Sequence, residues 1–380
     1  MIYDFDTTAT SPVLPEVLEA YAENLKEPAN NPSSAHRGGL SASASLEEAR
    51  AGIARLLDCG ADEIFFTSGG TESINWALKG AAWAGRRLPK RALFTAGEHE
   101  AVRGALLFLQ DYLDYVMEEL PILESGSLAP QALERALAEP AGLISTLAVS
   151  NETGAINDLY LLRPLIRRLA PQAVWHSDIV QLCGKLPFSF KKSGLDLASV
   201  SGHKLGAPRG TGLLIKRKAL KVTPLLHGGG QEMGLRSGTA DVPGALALAS
   251  AIAFHHRNMD DEIQKTRRIR DLFLMALDEE GMTYTVLSPH EGSPFVLSIA
   301  FPGIRGETLL HALSAESIYI STGSACGSKK GGENKVLSAM GFDKMLVYSA
   351  VRISFNGGQA EADVRHLAAR IADLHRRYAV

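Results

Sequence analysis

Short apolar runs alternate with longer stretches of helical periodicity along the first two thirds of the chain. The apolar runs are hydrophobic on successive residues, which is typical of strands buried on both faces of a parallel sheet. The pattern predicts strands at 63–68, 91–96, 143–150, 173–178, 197–204 and 210–217, and helices at 71–85, 99–113 and 158–170. This alternation predicts an α/β fold with a mostly parallel sheet and helices on both of its faces.

A long helical pattern with few breaking residues follows, at about 241–280. Beyond it the periodicity predicts strands at 294–301, 317–322 and 351–355, a helix at 306–316, and a last helix from about 359. These elements form a smaller α+β unit. The boundary between the two units is therefore expected inside the long helix.

Composition narrows the possible classes of protein. The chain has 380 residues, 46% of them hydrophobic, so it is long enough for two or three domains. Its formal net charge is -3, so it lacks the positive electrostatic field that attracts nucleic acid. Cys59, Cys183 and Cys326 stand far apart, which argues against a disulfide framework or a zinc site and favours a reducing, cytoplasmic location. The polar, acidic start is unlike a signal peptide, and no apolar run of about 18 residues predicts a membrane span.

The segment SGHKLGAPRGTG (201–212) carries the strongest chemical signal. Its lysine, Lys204, follows a predicted strand and is surrounded by small residues that allow a ligand to approach the backbone. Such a lysine is partly desolvated and suited to form a Schiff base. The alternative is a solvated surface charge, which is the ordinary place of a lysine.

A pyridoxal phosphate site also needs an acidic partner for the pyridine nitrogen and a cradle for the phosphate. Asp178 ends a predicted strand 26 residues before Lys204, and Gly70 and Thr71 begin a predicted helix. Backbone N–H groups at such a helix start bind phosphate. Taken singly, Asp178 and Thr71 could each be a helix cap instead of a cofactor ligand. The segment is not a P-loop, because no GxxxxGK[ST] pattern occurs.

The ordered set of motifs resembles that of the cysteine desulfurases, which are pyridoxal phosphate enzymes of the aspartate aminotransferase fold (fold type I). The motifs are NPSSAH (31–36), TSGGTES (67–73), GEHEAV (97–102), SNETG (150–154), HSDIVQ (176–181), SGHKLGAPRGTG (201–212), GGGQEMGLRSGT (228–239), STGSACGS (321–328) and VRISF (351–355). The cysteine-containing segment is similar to the housekeeping iron–sulfur and nitrogenase-associated class. The resemblance implies a large cofactor-binding domain with a seven-stranded type of sheet, residues 14–255, and a small domain, residues 1–13 and 256–380, that carries Cys326.

The resemblance implies a cofactor role for each matching residue. Lys204 matches the Schiff-base lysine, Asp178 the carboxylate on the pyridine nitrogen, and Gln181 the donor to the phenolic oxygen. His99 matches the histidine that stacks on the ring and is proposed to shuttle protons. The matches to the phosphate ligands are Gly70, Thr71, Ser201 and His203, together with Thr239, which the other subunit of a homodimer donates.

The remaining matches concern the substrate and the sulfur. Asn151 and Arg352 match the residues that hold the substrate carboxylate, and Cys326 matches the thiol that attacks the substrate sulfur. The implied reaction converts L-cysteine to L-alanine through a ketimine and leaves a persulfide on Cys326. An acceptor protein then takes the sulfur, either an iron–sulfur scaffold or a relay for tRNA or cofactor thiolation.

Other interpretations remain open at this level. Taken alone, Arg352 is better explained as a solvent-facing arginine on a late strand, and the alternative for Cys326 is an incidental thiol in a linker. His99 does not begin a zinc motif, because HExxH needs a second histidine where Arg103 stands. The same fold supports a selenocysteine lyase, an aminotransferase or a β-eliminase. A sulfur-relay scaffold without turnover is a further alternative, against which the intact Lys204, Asp178 and His99 argue.

Overall fold

A computed structural model describes residues 2–27, 30–323 and 334–379 of the chain. Seven strands of this part form a large sheet in the order β2-β8-β7-β6-β5-β3-β4. Along the chain they are β2 (Ile64–Thr67), β3 (Arg91–Thr95), β4 (Val116–Leu120), β5 (Leu143–Leu147), β6 (Val174–Asp178), β7 (Leu197–Ser201) and β8 (Gly212–Lys216). Strand β8 runs opposite to the other six strands, so the sheet is mostly parallel, as predicted.

Both faces of the large sheet are covered by helices, which explains the continuous apolar runs. Each face of the large sheet packs against its own hydrophobic core. In β3, Leu93 packs into the core on one face, whereas Ala92 and Phe94 pack into the core on the opposite face. Helices α3 (Gly70–Ala84) and α4 (Glu100–Leu113) cover the face of Ala92 and Phe94. The opposite face is covered by α1 (Pro15–Lys26), α2 (Arg37–Leu57), α5 (Pro130–Ala136), α6 (Leu159–Leu169), α7 (Phe190–Ser193) and the start of α8 (Val242–Glu279).

A second, smaller unit contains the C-terminal elements. Its antiparallel sheet has the order β12-β10-β9, and a parallel pair joins β1 to β11. The strands are β1 (Tyr3–Asp4), β9 (Thr285–Val286), β10 (Val296–Ala300), β11 (Ile318–Tyr319) and β12 (Ala350–Ser354). The helices are α9 (Gly306–Ala315), α10 (Lys335–Ala339), α11 (Lys344–Ser349) and α12 (Glu361–Tyr378).

Helix α8 contributes to the cores of both units. Ala251 and Ile252 pack in the core that contains Leu93, on one face of the large sheet, whereas Phe273 and Leu277 pack in the core of the small unit. The division of the chain near residue 255 falls within this helix and stays a prediction. Within the described ranges, no helix has both the length and the apolar composition that a membrane crossing requires.

The parallel strands determine where polar chemistry is concentrated. Strands β2, β3, β5, β6 and β7 run in one direction, so their carboxyl ends meet at one edge of the sheet. Ligands of open α/β sheets bind outside this edge. The strand ends there are Thr67, Thr95, Leu147, Asp178 and Ser201.

Candidate active site

The side chain of Lys204 lies at the carboxyl edge of the large sheet. Strand β7 ends at Ser201 and continues directly into a turn of 3-10 helix, Gly202–Lys204. Lys204 Nζ donates to the backbone oxygens of Thr8 and Ala9 at 2.6 and 2.5 Å. The amine is therefore held between the end of a buried strand and the N-terminal segment.

This N-terminal segment, residues 6–11, crosses the edge of the sheet beside the lysine. Ser11 donates its backbone N–H to the carbonyl oxygen of His203 at 2.9 Å, and Thr10 Oγ1 lies 3.1 Å from His203 Nδ1. Burial lowers the pKa of His203 to about 4, and the charge of Lys204 acts in the same direction. The imidazole is therefore neutral at pH 7 and presents one donor and one acceptor.

Asp178 is the last residue of β6 and is buried at the same edge. Its Oδ1 accepts the backbone N–H of Val180 at 2.9 Å. Burial raises the pKa of the Asp178 carboxyl group, whereas the charges of His99 and Lys204 act in the opposite direction. A carboxylate in this position is stabilised by a cation placed against it, such as a protonated ring nitrogen.

His99 caps helix α4, and this role fixes its tautomer. Its Nδ1 accepts the backbone N–H of Ala101 at 3.1 Å. Because Nδ1 is the acceptor, the proton of the neutral ring is on Nε2. The Nε2 atom is thus the one that can donate a proton.

The N-terminus of helix α3 forms a narrow cradle beside Ser201. Gly69 has φ +148° and precedes Gly70, the first residue of the helix. A Cβ at Gly70 would lie 3.2 Å from Val180 Cγ2 and 3.3 Å from Ser201 Cβ, so glycine permits a close approach here. The first-turn N–H groups and the helix dipole favour an anion, and Thr71 adds an exposed hydroxyl.

Arg352 lies on β12 with only 3% of its surface exposed. Its Nη2 donates to Asp6 Oδ1 at 2.6 Å, and its Nη1 donates to the backbone oxygen of Asn151 at 3.1 Å. Its Nε is buried without a hydrogen-bond partner among the described residues. A donor left open in this way suits a carboxylate ligand.

Gln181 and Lys185 lie in the turn that follows β6. Lys185 Nζ donates to Gln181 Oε1 at 2.6 Å, and Gln181 Nε2 donates to the carbonyl oxygen of Thr8 at 3.3 Å. The pKa of Lys185 is lowered to about 7, mainly by burial and also by the charges of Lys204 and Arg352. A third cationic group thus belongs to the site.

A buried polar network lies beneath these groups. His176 Nδ1 is 3.0 Å from Ser145 Oγ, and its Nε2 is 2.9 Å from Ser199 Oγ. Burial lowers the pKa of His176 to about 3, so the ring is neutral. Burial and the charge of Asp178 raise the pKa of Glu98 to about 8, so that carboxyl group is mainly protonated at pH 7.

The structure brings together most of the predicted site residues, with two exceptions. Thr239 is exposed and lines a separate cavity of about 150 Å³ with Thr67, Thr211 and Arg236. Cys326 lies outside the described residues. The other predicted residues are linked by contacts or charge interactions around the edge of the large sheet.

Comparison with known proteins places this site in a family. The model of the aminotransferase class-V family matches residues 2–367. The chain belongs to this family. A NifS/IcsS protein homolog of Lactobacillus delbrueckii is 36% identical over 100% of this chain and 98% of its own length. The cysteine desulfurase IscS of Dictyoglomus turgidum is 35% identical over 95% of this chain and 91% of its own.

A solved NifS-like protein has the same fold, with a TM-score of 0.92 and 34% identity. The alignment covers 99% of this chain and 100% of that one. Within the aminotransferase class-V family, the chain therefore belongs with the cysteine desulfurases, and the predicted fold type I is confirmed.

Membership in the class-V family makes the protein pyridoxal phosphate-dependent, and the donor set of the site fits this cofactor. The cofactor needs an amine, an acidic group and an anion cradle. The amine of Lys204, the buried carboxyl of Asp178 and the glycine cradle at Gly70 supply these three groups at one sheet edge.

Some residues of this class-V site were not predicted from the sequence. Asp6 and the backbone oxygen of Thr8 come from the first residues of the chain, whose sequence has no motif that points to a site. Lys185 did have a local signal, because it follows Gln181 by four residues in one turn.

Proposed function

We propose that this protein is a cysteine desulfurase in which Lys204, Asp178 and Arg352 form the center of the site. The observation that carries the proposal is that Lys204 lies close enough to the buried Asp178 for their charges to interact, and that the charges of Lys204 and of the buried Arg352 both act on Lys185. The family supports the overall reaction, in which L-cysteine becomes L-alanine. The sulfur atom leaves the Cβ of the substrate and bonds to the Cys326 thiol, which becomes a persulfide.

The cofactor, when bound at Lys204, supplies an electron sink for the negative charge that develops on the substrate Cα. Asp178 would pair with the ring nitrogen and keep it protonated, since its buried carboxylate requires a cation. Gln181 would donate to the phenolic oxygen. The first-turn amides at Gly70, with Thr71, Ser201 and His203, would hold the phosphate.

Two groups move the proton of the substrate. Lys204 would take the proton from Cα. His99 lies close enough to Asp178 for the two side chains to interact electrostatically, and the cap at Nδ1 leaves Nε2–H as its donor. We therefore assign His99 to stacking on the ring and to proton transfer.

The substrate carboxylate binds at Arg352 and Asn151. A guanidinium matches a carboxylate with two parallel hydrogen bonds, and Arg352 Nε is a donor without a described partner. Asn151 orients the guanidinium through its backbone oxygen. Its side chain remains available to the ligand in this proposal.

The subunit arrangement and the acceptor are further parts of the proposal. We infer a homodimer in which Thr239 of one subunit binds the phosphate in the other, which is consistent with its exposed position. The persulfide sulfur passes to an acceptor protein, either an iron–sulfur scaffold or a thiolation relay. We infer a cytoplasmic location, since Cys59 and Cys183 are free thiols.

Replacement of the proposed nucleophile tests the function. The purified enzyme is incubated with L-cysteine and a reductant, and alanine and sulfide are measured together with the visible spectrum. Cys326→Ala should abolish sulfide release and leave the cofactor absorbance unchanged. Cys59→Ala is the matched control, because burial and nearby carboxylates raise the pKa of Cys59 to about 12 and make it a poor nucleophile.

The products distinguish the competing reactions. Equal formation of alanine and sulfide by the unmodified protein supports the desulfurase. Pyruvate in place of alanine would indicate β-elimination and overturn the proposal. Unchanged sulfide release by Cys326→Ala would refute the role of Cys326.

A further inference from the structure

Lys185 is a cationic residue of the site that has no part in the reaction described above. It follows β6 by seven residues and is partly buried. Its Nζ donates to Gln181 Oε1 at 2.6 Å and lies 5.9 Å from the ring center of Phe295. A lysine ammonium group in this environment requires a specific reason, since lysine is ordinarily exposed.

The hydrogen bonds around Gln181 permit one orientation of its carboxamide. The protonated amine of Lys185 donates to Oε1 and has no lone pair with which to accept from the amide N–H₂. The carbonyl oxygen of Thr8 only accepts, and it receives Gln181 Nε2 at 3.3 Å. Reversing the amide would place two donors together at Lys185 and two acceptors together at Thr8.

The same carbonyl oxygen connects Gln181 with the catalytic amine. Thr8 O accepts from Lys204 Nζ at 2.6 Å as well as from Gln181 Nε2. The chain of contacts therefore runs from Lys185 through the carboxamide to Thr8 and Lys204. Gln181 Nε2 therefore shares its acceptor with the amine of the Schiff-base lysine.

We propose that Lys185 is a positioning residue, which holds the carboxamide of Gln181 so that Nε2 is presented to the catalytic pocket as a donor. This inference rests on the proposed function, in which Gln181 donates to the phenolic oxygen of the cofactor. With the amide reversed, Oε1 would face that oxygen, and two acceptors would repel each other. Lys185 thus acts on the reaction through Gln181, without touching the substrate.

The orientation is maintained across neutral pH. When Lys185 loses its proton near pH 7, its amine can still donate to Gln181 Oε1, and the carbonyl oxygen of Thr8, which only accepts, still requires Nε2 on its side. The positive charge of Lys185 interacts with ionisable groups on the elements packed around it. These groups are Lys204, Arg352, His203, His255 and Cys183.

A double-mutant cycle on the holoenzyme tests the inference. The single variants are Lys185→Met and Gln181→Ala, and they are compared with the double variant. The readouts are the visible absorption maximum of the bound cofactor, the pH midpoint of its absorbance change, and kcat and KM with L-cysteine. Lys191→Met, an exposed lysine on α7, is the control.

Lys185→Met is expected to shift the pH midpoint by at least half a unit and to lower kcat about tenfold, with KM changed less than threefold. In the Gln181→Ala background the same replacement should add less than a twofold further loss of kcat and no further spectral shift. Lys191→Met should match the unmodified enzyme. Together these results would support the positioning role.

Two results would overturn it. An unchanged spectrum in Lys185→Met would show that the amide is oriented without the lysine. Full additivity of the two replacements would show that Lys185 acts independently of Gln181. Because the spectra are recorded without substrate, the inference can be judged even if the protein fails to convert L-cysteine to alanine, which would refute the proposed function alone.

Discussion

Arg352 and Asp6 form an ion pair of 2.6 Å that joins the first residues of the chain to β12. The arginine side chain is 3% exposed and the carboxylate 25%. A buried guanidinium needs such a partner, since removing its hydration is costly. The ion pair thus holds the Arg352 guanidinium, which is proposed to bind the substrate carboxylate, at the edge of the large sheet.

Replacement of this receptor should weaken substrate binding selectively. Arg352→Lys keeps a positive charge but loses the planar pair of donors, so KM for L-cysteine is expected to rise about 10- to 100-fold, or ~1.4–3 kcal/mol. The visible spectrum without substrate should stay unchanged. Steady-state kinetics measure the effect, with the exposed Arg305→Lys as the control. A KM within twofold of that of the unmodified enzyme would contradict the assignment.

The cradle at Gly70 should be sensitive to a single methyl group. Gly70→Ala places a Cβ 3.2 Å from Val180 and 3.3 Å from Ser201, which pushes the start of α3 away from the strand end. Overpacking of this kind costs ~1–3 kcal/mol, so the Kd for pyridoxal phosphate is expected to rise about tenfold or more. Titration of the apo protein with the cofactor measures it. Gly104→Ala, where a Cβ would meet nothing within 4 Å, should leave the Kd unchanged.

Glu98 should make the stability of the protein fall as pH rises. Its pKa is about 8 in the folded state and near 4.5 in the unfolded chain, so the folded state binds more protons between these values. Glu98→Gln removes this ionisation. The variant should therefore gain stability relative to the unmodified protein between pH 5 and pH 8, by more than ~1 kcal/mol.

Urea unfolding at pH 5 and pH 8 measures this difference in the free energy of unfolding. Glu139→Gln, at an exposed position, is the control and should show the same offset at both pH values. An equal offset for Glu98→Gln at both pH values would mean that Glu98 is ionised in the folded protein.

Arg50 and Glu232 form a buried pair at 2.8 Å, and Glu232 also accepts the backbone N–H of Phe66. Arg50→Met leaves the carboxylate buried without its partner, which is expected to lower the free energy of unfolding by about 3 kcal/mol. Arg168→Met removes an exposed pair with Glu134 and should cost less than about 1 kcal/mol. Denaturant unfolding compares the two, and equal losses would contradict the expected difference.

The local hydrophobic pattern was sufficient to predict the strands and helices that carry the motifs. The predicted strand at 173–178 is β6, and the predicted helix at 71–85 is α3, because continuous burial and helical periodicity are visible in neighbouring residues. Strand β4 was not predicted, since its residues Val116–Leu120 include two glutamates and are only partly buried. The antiparallel direction of β8 also has no local signal, because direction depends on the connection and not on the apolar run.

The sequence by itself determined the alternation of strands and helices, the Schiff-base candidate Lys204 and its acidic partner Asp178, because each depends on residue type and near neighbours. Tertiary structure alone decided which distant groups surround them. Thr8 meets Lys204 across 196 residues, and Asp6 meets Arg352 across 346. Contacts of such long range exist only in the folded chain, and so does the burial that shifts the pKa values of Lys185 and Glu98.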